Sequence, residues 1–393
     1  VTGSSDRLRV GIIGTGFAAE CHADALRRLP AVRLAGVASR TPLRAVEAAH
    51  RFGAERAYAD PAELIDDPNI DAVHICTINR QHAELSAAAL KANKHVISEK
   101  PLTTSSASAG MLVDLAESAA DAGTLSAVCF NYRHYPLVQQ LRSMLASGTY
   151  GEVHFIHGSY LQDWLLYDTD WNWRIDPDDN GASRAVADLG SHWLDLVEHV
   201  SGLRISEVFA DLATHHPTRR RPAVERATFS GSTDGVSHAV PIHNEDFGTV
   251  MIRFAGGARG AFAVSQVSAG RKNHLAFEVD SADAAFAWNQ EQPDTFWMGR
   301  RGAPNLGYVR DAVITEFSSQ LPAGHPMGWR DALCNLLADF YGQAQAEPNR
   351  VVGVPSFATF ADGYRATLLV DSIMESRRTG TWVEVHDTAP VRP

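Results

Sequence analysis

The sequence predicts an α/β domain built on a parallel sheet, followed by an α+β domain whose sheet is mixed or antiparallel. Three observations carry this. From Leu8 to Cys129 short apolar runs alternate with helical patterns, as in a sheet wrapped by helices. Between 247 and 288 strand-like runs follow one another with no helix between them, which calls for antiparallel or mixed pairing. The length of 393 residues exceeds one ordinary core and suits two domains, at 7–130 and 131–386.

In the first domain the strands are "LRVGII", "VRLAGVAS", "AVHIC", "HVIS" and "LSAVCF", with helices near 17–29, 42–53, 80–92 and 105–122. That alternation is the pattern of a Rossmann domain. A helix at 134–146 then leads into the strand "GEVHFIHGSYLQ", an irregular Trp-rich stretch, and a helix near 187–200 closed by Gly202. The strands "FGTVMIRF", "ARGAFAVSQ", "HLAFEVD" and "AAFAW" form a meander, with Gly256-Gly257 supplying its first hairpin turn. Helices around 329–345 and 356–378 and the strand "TWVEV" finish the chain. The polar stretch 211–245, rich in His, Arg, Ser and Gly, reads as a long loop.

Composition narrows the function classes. Hydrophobic residues make up 45% and charged residues 21%, a globular balance. A net charge of -11 argues against a nucleic-acid partner, because phosphate binding needs a concentrated positive field. The run Arg219-Arg220-Arg221 sits among Pro and Thr and reads as solvated loop. The four cysteines lie far apart, without zinc or redox spacing, and read as core residues of a reducing compartment. No apolar run reaches the ~18 residues of a membrane span, and "VTGSSDRLRV" lacks a signal-peptide core, so a cytoplasmic protein with no membrane partner is expected.

"VGIIGTGFAAECHADAL" runs from a strand through the turn Gly14-Thr15-Gly16 into a helix, with Phe17 opening the helix and Ala19 at the third position of GxGxxA. The glycines permit a tight turn and let a pyrophosphate approach the helix N-terminus, where free N–H groups favour negative charge. The second strand ends in Ser39, Arg40 and Thr41, where a site for NAD usually carries an acid for the ribose 2′-OH. This favours NADP over NAD. A second reading of Arg40, as an exposed residue flanking the helix and stacking on adenine, stays open.

The strands ending "HICTIN" and "HVISEK" bring Thr77, Asn79, Glu99 and Lys100 to the C-terminal edge of the sheet, where open α/β sheets bind ligands. His82, at the start of the next helix, suits a cofactor contact or a capping or core role. In "GASRAVADLGSHWLDLVEHVSG" Asp188 and His192 stand four residues apart, on one helix face, with Asp195 near the same stripe. A carboxylate beside an imidazole can orient a general base and tune it toward neutrality. The spacing also fits a solvated pair or a metal, but no third and fourth ligands stand at a suitable distance, so no metal is assigned.

Together these motifs resemble the glucose-fructose oxidoreductase/inositol dehydrogenase/rhizopine-catabolism (Gfo/Idh/MocA) family. The similarity runs through "GIIGTGFAAE", "CTINRQHAELSAAALKANKHVISEKPL", "ADLGSHWLDLVEHVSG" and "FADGYRATLLVDSIMESRRTGTWVEV". It is the pairing of the EKP element with DxGxH at this separation that is specific. The resemblance implies a large open sheet in the second domain, homodimers or homotetramers formed through it, and oxidation or reduction of sugar and polyol hydroxyls. It also implies that Lys100 stabilises the reacting oxygen, that His192 takes the hydroxyl proton, and that Asp188 binds a neighbouring hydroxyl or fixes the imidazole.

Two departures stand out. Thr77-Ile78-Asn79 replaces the family's T-P-N, losing a proline's constraint, and Ser183-Arg184 stands where small residues are common. Arg184 narrows the pocket, reaches an anion, or is a plain surface residue. Tyr132 of "NYRHYP", Gln162 and Trp164 of "YLQDW", and Trp173 and Arg174 beyond them are the substrate candidates. Indole faces beside amide and charged groups suit a pyranose or glycoside, and these stretches are similar to those of family members that oxidise a pyranoside hydroxyl. The same Trp residues also suit packing at the domain junction. Beside a dehydrogenase acting on a sugar, glycoside or cyclitol stand two alternatives, a redox-neutral NAD-dependent glycosidase and a non-enzymatic ligand sensor on the same fold.

Overall fold

The apolar runs of the first half become parallel strands because the segment after each one folds back across the sheet as a helix. In chain order these are Leu8–Ile13 (β1), Phe17–Arg27 (α1), Val32–Ala38 (β2), Pro42–Phe52 (α2), Arg56–Tyr58 (β3), Pro61–Asp66 (α3), Ala72–Ile75 (β4), His82–Lys91 (α4), His95–Ser98 (β5), Ser106–Ala120 (α5) and Ser126–Val128 (β6). The computed structural model describes residues 7–223, 236–311, 320–346 and 356–386. The strands form one six-stranded parallel sheet in the order β3-β2-β1-β4-β5-β6. Strand order reverses between β1 and β4, and at such a switch point a crevice opens at the C-terminal strand edge.

The pair β3 and α3 is absent from the sequence reading. Three residues are too few to show a period, and only the αL glycine Gly53 that closes α2 marks the turn into them. Residues through Asn131 and Trp329–Tyr364 form one compact unit; Tyr132–Gly328 and the chain from Arg365 form the other. The helix Trp329–Ala344 therefore belongs with the first unit. Its Leu333, Cys334, Leu337 and Phe340 share a buried apolar cluster with Ala19, Cys21 and Ala25 of α1.

The second unit contains Pro136–Ala146 (α6), Val153–Leu161 (β7), Pro177–Asn180 (α7), Ser191–Ser201 (α8), Ile205–Ala213 (β8), Thr218–Pro222 (β9), Ser237–Pro241 (β10), Phe247–Phe254 (β11), Arg259–Ser265 (β12), His274–Ser281 (β13), Ala285–Asn289 (β14), Thr295–Gly299 (β15) and Leu306–Val309 (β16). After Trp329–Ala344 (α9), Phe360–Thr379 (α10) and Val383–Glu384 (β17) complete the chain. Nine strands pair in the order β16-β15-β14-β13-β7-β12-β11-β8-β17, antiparallel except for β7 with β12. The long-loop reading of 211–245 is corrected in part. β9 and β10 pair as a two-stranded sheet, and 224–235 lies outside the described residues.

Along β11 buried and exposed residues alternate, so Val250, Ile252 and Phe254 face the core and Met251 faces outward. Gly158 in β7 lets α8 lie close on the inner face. A Cβ there would overlap the Ala276 carbonyl and meet the Trp193 indole nitrogen at 2.7 Å. With that space open, Trp193 stacks on Phe262 and donates to the Ala276 carbonyl at 3.0 Å, which anchors α8 to the sheet. Among the described residues no helix is long and apolar enough to cross a membrane.

Candidate active site

In the first unit Gly14 takes a φ of +119°, and a Cβ there would overlap the Cys76 carbonyl of the loop after β4. Gly16 caps α1, and open space surrounds its missing Cβ. It brings no side chain to the first-turn N–H groups, which remain available to an anion. Ala19 is fully buried, whereas Phe17 is half exposed against Trp329. These features fit a dinucleotide pyrophosphate. Arg51, which the sequence reading missed, donates to the Thr15 carbonyl at 2.7 Å and places a guanidinium on this turn. At the end of β2, Ser39 is buried, Arg40 is exposed, and the Thr41 hydroxyl caps α2 by accepting from the Arg44 N–H.

Ile78 adopts φ −74° and ψ 153°, dihedrals open to proline, so the loop holds this extended shape without one. Asn79 is buried at the start of a single 3₁₀ turn, and the Thr77 hydroxyl donates to the Ile78 carbonyl. The His82 ring lies 2.8 Å from the Pro101 carbonyl and 3.2 Å from the Thr77 carbonyl, tying together the loops after β4 and β5. Burial pushes its pKa down despite both carbonyls, so the neutral ring has one N–H to share between them. His82 is thus buried between two backbone carbonyls.

Beyond β5 the Lys100–Pro101 peptide is cis. The Lys100 N–H donates to the Glu99 carboxylate at 3.1 Å, and the other Glu99 oxygen lies 3.1 Å from Nε2 of His22. Burial pushes the Glu99 carboxyl up, but the hydrogen bond from His22, with Lys100, outweighs it and holds the group down at about 2. Glu99 is therefore ionised. Its carboxylate, His22 and the Cys129 thiol bring ligand-capable atoms within 4.8 Å of one another, although burial keeps that thiol protonated.

In the second unit Asp188 lies in a π-helical turn, Val186–Gly190, that runs into α8, and His192 follows in the first turn of α8. Both are buried. One Asp188 oxygen accepts from Arg174 Nε at 3.2 Å, the other from Gln266 Nε2 at 2.9 Å. Arg174 in turn lies over the Trp173 ring at 4.4 Å. The His192 ring meets Tyr132 edge-on at 4.8 Å. Behind it the Tyr132 and Tyr160 hydroxyls are 2.8 Å apart, and Asn273 bonds both while also accepting from Gln162 at 2.8 Å. Burial pushes the Tyr160 phenol well above its usual range, so it stays protonated. Trp164 packs with Trp171 on Leu165, Ile175 and Ile242. Asp195 points elsewhere on the helix, into a buried pair with Arg133 at 2.8 and 2.5 Å.

A clamp absent from the sequence reading sets the entry to α8. One Glu245 oxygen accepts from Ser183 Oγ at 2.6 Å and from the N–H groups of Arg184 and Val186 at 2.8 and 3.0 Å. Asp246 pairs with Arg184 and Arg219, both fully buried, and accepts from the N–H groups of His215 and His216. Two expectations are thereby corrected. Arg184 is neither a surface nor a pocket residue, and Arg219 is no solvated loop cation, because each guanidinium is drawn inward to Asp246. Gln266 and Asn273 were missed for want of a local signal; they lie 78 and 81 residues beyond Asp188 and His192, respectively.

A glycine turn at the switch point of a parallel sheet, joined to a second unit carrying a buried acid and histidine, marks a two-domain nucleotide-dependent oxidoreductase. Residues 8–125 match the family model "Oxidoreductase family, NAD-binding Rossmann fold", and residues 138–286 match "GFO/IDH/MocA C-terminal domain". The chain belongs to the Gfo/Idh/MocA family. It is 32% identical to the levoglucosan dehydrogenase of Pseudarthrobacter phenanthrenivorans, over 96% of this chain and 98% of that one. The myo-inositol 2-dehydrogenase of Thermotoga maritima is 31% identical over 88% of this chain and 98% of its own. A solved levoglucosan dehydrogenase in complex with NADH and levoglucosan superposes with a TM-score of 0.83 at 29% identity, covering 97% of this chain and all of that one.

Proposed function

We infer that the protein is a dehydrogenase moving a hydride between NAD(P) and a secondary hydroxyl of a sugar, glycoside or cyclitol. The observation that carries this reading is Asp188, held at both oxygens by Arg174 and Gln266, one turn before a histidine seated on a tyrosine pair. The relatives named as sugar and inositol dehydrogenases support the substrate class. When bound, the nicotinamide accepts or returns the hydride. His192 takes the hydroxyl proton, and Lys100 donates to the reacting oxygen, where a fixed cation stabilises developing alkoxide charge. Asp188 receives a neighbouring hydroxyl. Tyr132, Gln162, Trp164, Trp173 and Arg174 supply the aromatic and polar surface for the ring.

Gly14, Gly16, Phe17, Ala19, Thr77, Asn79 and Glu99 form the set that meets the cofactor. The exposed Arg40, beside Ser39 and Thr41 and with no acid at the strand end, supports NADP as the preferred form. Four free, buried cysteines support a cytoplasmic setting.

Fluorescence titration with NADH and NADPH, followed by a screen of sugars, cyclitols and glycosides for reduced nicotinamide, tests the reading. NADPH should bind about tenfold or more tightly, and Arg40→Asp should reverse that order. Failure of both cofactors to bind overturns the enzyme reading. Release of an aglycone without net reduction assigns the chain instead to redox-neutral glycosidases.

A further inference from the structure

Behind Glu99 the first unit buries a line of polar rings. His22 Nε2 faces the Glu99 carboxylate at 3.1 Å, His22 Nδ1 faces His74 Nδ1 at 2.8 Å, and His74 Nε2 faces the Tyr341 hydroxyl at 2.7 Å. The groups come from α1, β4 and α9, and His22, His74 and Tyr341 are buried to within 1%.

Proton bookkeeping gives this line a direction. Two Nδ1 atoms at 2.8 Å require one to carry hydrogen and the other a lone pair. If neutral His22 carried its hydrogen on Nδ1, its bare Nε2 would face an ionised carboxylate, two acceptors with no proton between them. The neutral arrangement that satisfies every contact runs one way. Tyr341 O–H donates to His74 Nε2, His74 Nδ1–H donates to His22 Nδ1, and His22 Nε2–H donates to Glu99. Burial supports both fixed points of this order, pushing the His74 pKa well below and the Tyr341 pKa well above their usual values.

We propose that Tyr341, His74 and His22 form a one-way hydrogen-bond relay that fixes the Glu99 carboxylate and so positions the Glu99-Lys100 pair for cofactor binding and hydride transfer. His22 and His74 are then positioning residues, acting through Glu99. The role in hydride transfer rests on the reading of Lys100 given above, whereas the relay itself does not. Glu99 keeps its negative charge beside the Lys100 backbone only while His22 presents the correct nitrogen. Once that donor is lost, burial dominates and the carboxyl protonates at a far higher pH. The other titratable groups acting on it are Cys76 and Cys129, whose thiols burial holds well above their usual range, Cys21, raised to about 11, His82, lowered by burial, and Lys100. Asp71 acts on Tyr341.

Nitrogen-15 spectra of the histidines in the full-length protein should show His22 protonated at Nε2 alone and His74 at Nδ1 alone near neutral pH. The opposite tautomers, or a doubly protonated His22, overturn the relay. His74→Leu removes the N–H that His22 Nδ1 accepts, and His74→Asn keeps an N–H close to that position. In His74→Leu the acid limb of cofactor affinity and of kcat/KM should move up by at least one pH unit, and His74→Asn should restore it. An unmoved limb, or equal damage in both variants, reduces His74 to packing and overturns the proposal. Should His74→Leu not fold, Tyr341→Phe, which keeps the ring, decides: a limb shifted in the same direction upholds the relay and an unmoved one overturns it. The spectra and the cofactor titrations need no sugar, so absence of turnover would sink the dehydrogenase reading and leave the relay to be judged alone.

Discussion

Lys100 and His192 have separable tasks in the proposed reaction, one holding charge and the other moving a proton, and substitutions should separate them. His192→Asn keeps size and polarity but loses the base, so kcat should fall by about 10²–10⁴ while cofactor affinity stays within about twofold of wild type. Lys100→Ala should lower kcat at least as far, and Lys100→Arg should rescue little, because a planar guanidinium does not replace a compact ammonium. Stopped-flow hydride transfer with a parallel fluorescence titration checks both; full turnover by either Ala or Asn variant would remove that residue from the chemistry. Lys100, Asp188 and His192 could be singled out in the sequence because Lys100 follows the apolar strand β5 in a contiguous EKP run and Asp188 and His192 share one DxGxH motif. Arg184 was not. Its partner Asp246 lies 62 residues away, and nothing near Arg184 in the sequence announces a carboxylate waiting in the core.

The helix α8 shows how an element is held at the angle its residues need. Its entry is a π-turn, and the Glu245-Asp246 clamp satisfies N–H groups there that an ordinary cap would leave to water. Asp246→Asn would leave Arg184 and Arg219 buried without their counter-charge, at a cost of about 3–5 kcal/mol, measured by urea unfolding. The pH dependence has a defined sign. Burial raises the Asp246 carboxyl, but Arg184 and Arg219 outweigh it and hold the group below the value it has in the unfolded chain. Its contribution is fully present above that unfolded value and is lost as pH falls through the lowered native one. Asp246→Asn should therefore lose stability at neutral pH and show a shallower decline in acid; a variant as stable as wild type at pH 7 would dismiss the clamp. At this scale the strands with alternating burial, such as β11, were readable from period alone, whereas β9 and β10 were not. Their Arg- and His-rich composition mimics a loop, and it is the inward turn of Arg219 that makes β9 a strand with a buried partner.

At the scale of the whole molecule one face of the nine-stranded sheet carries exposed large side chains, and the strand registers say what lies on it. Met251 pairs with Ala261, Ala261 with His157, His157 with Glu278, Glu278 with Ala287, and Ala287 with Trp297, so one row crosses six strands on a single face. Two residues before His157 on β7, Phe155 shares that face. Met251 is 46% exposed, Trp297 38% and Phe155 36%, and a groove of about 310 Å³ runs past His157, Glu278 and Trp297. A face with large apolar side chains at its ends, and two alanines flanking the His157–Glu278 pair between them, offers apolar and charge-paired surface that suits a two-fold contact with a second copy. A stable contact of this kind buries roughly 1,200–2,000 Å² in total. Light scattering of the wild type should give two or four times 42.7 kDa. Met251→Glu with Trp297→Glu places unpaired charge at both ends of that row, and the mass should fall to a single chain while the circular dichroism spectrum is kept. A wild type that is monomeric at micromolar concentration, or a double variant that stays assembled, would move the assembly surface off this sheet.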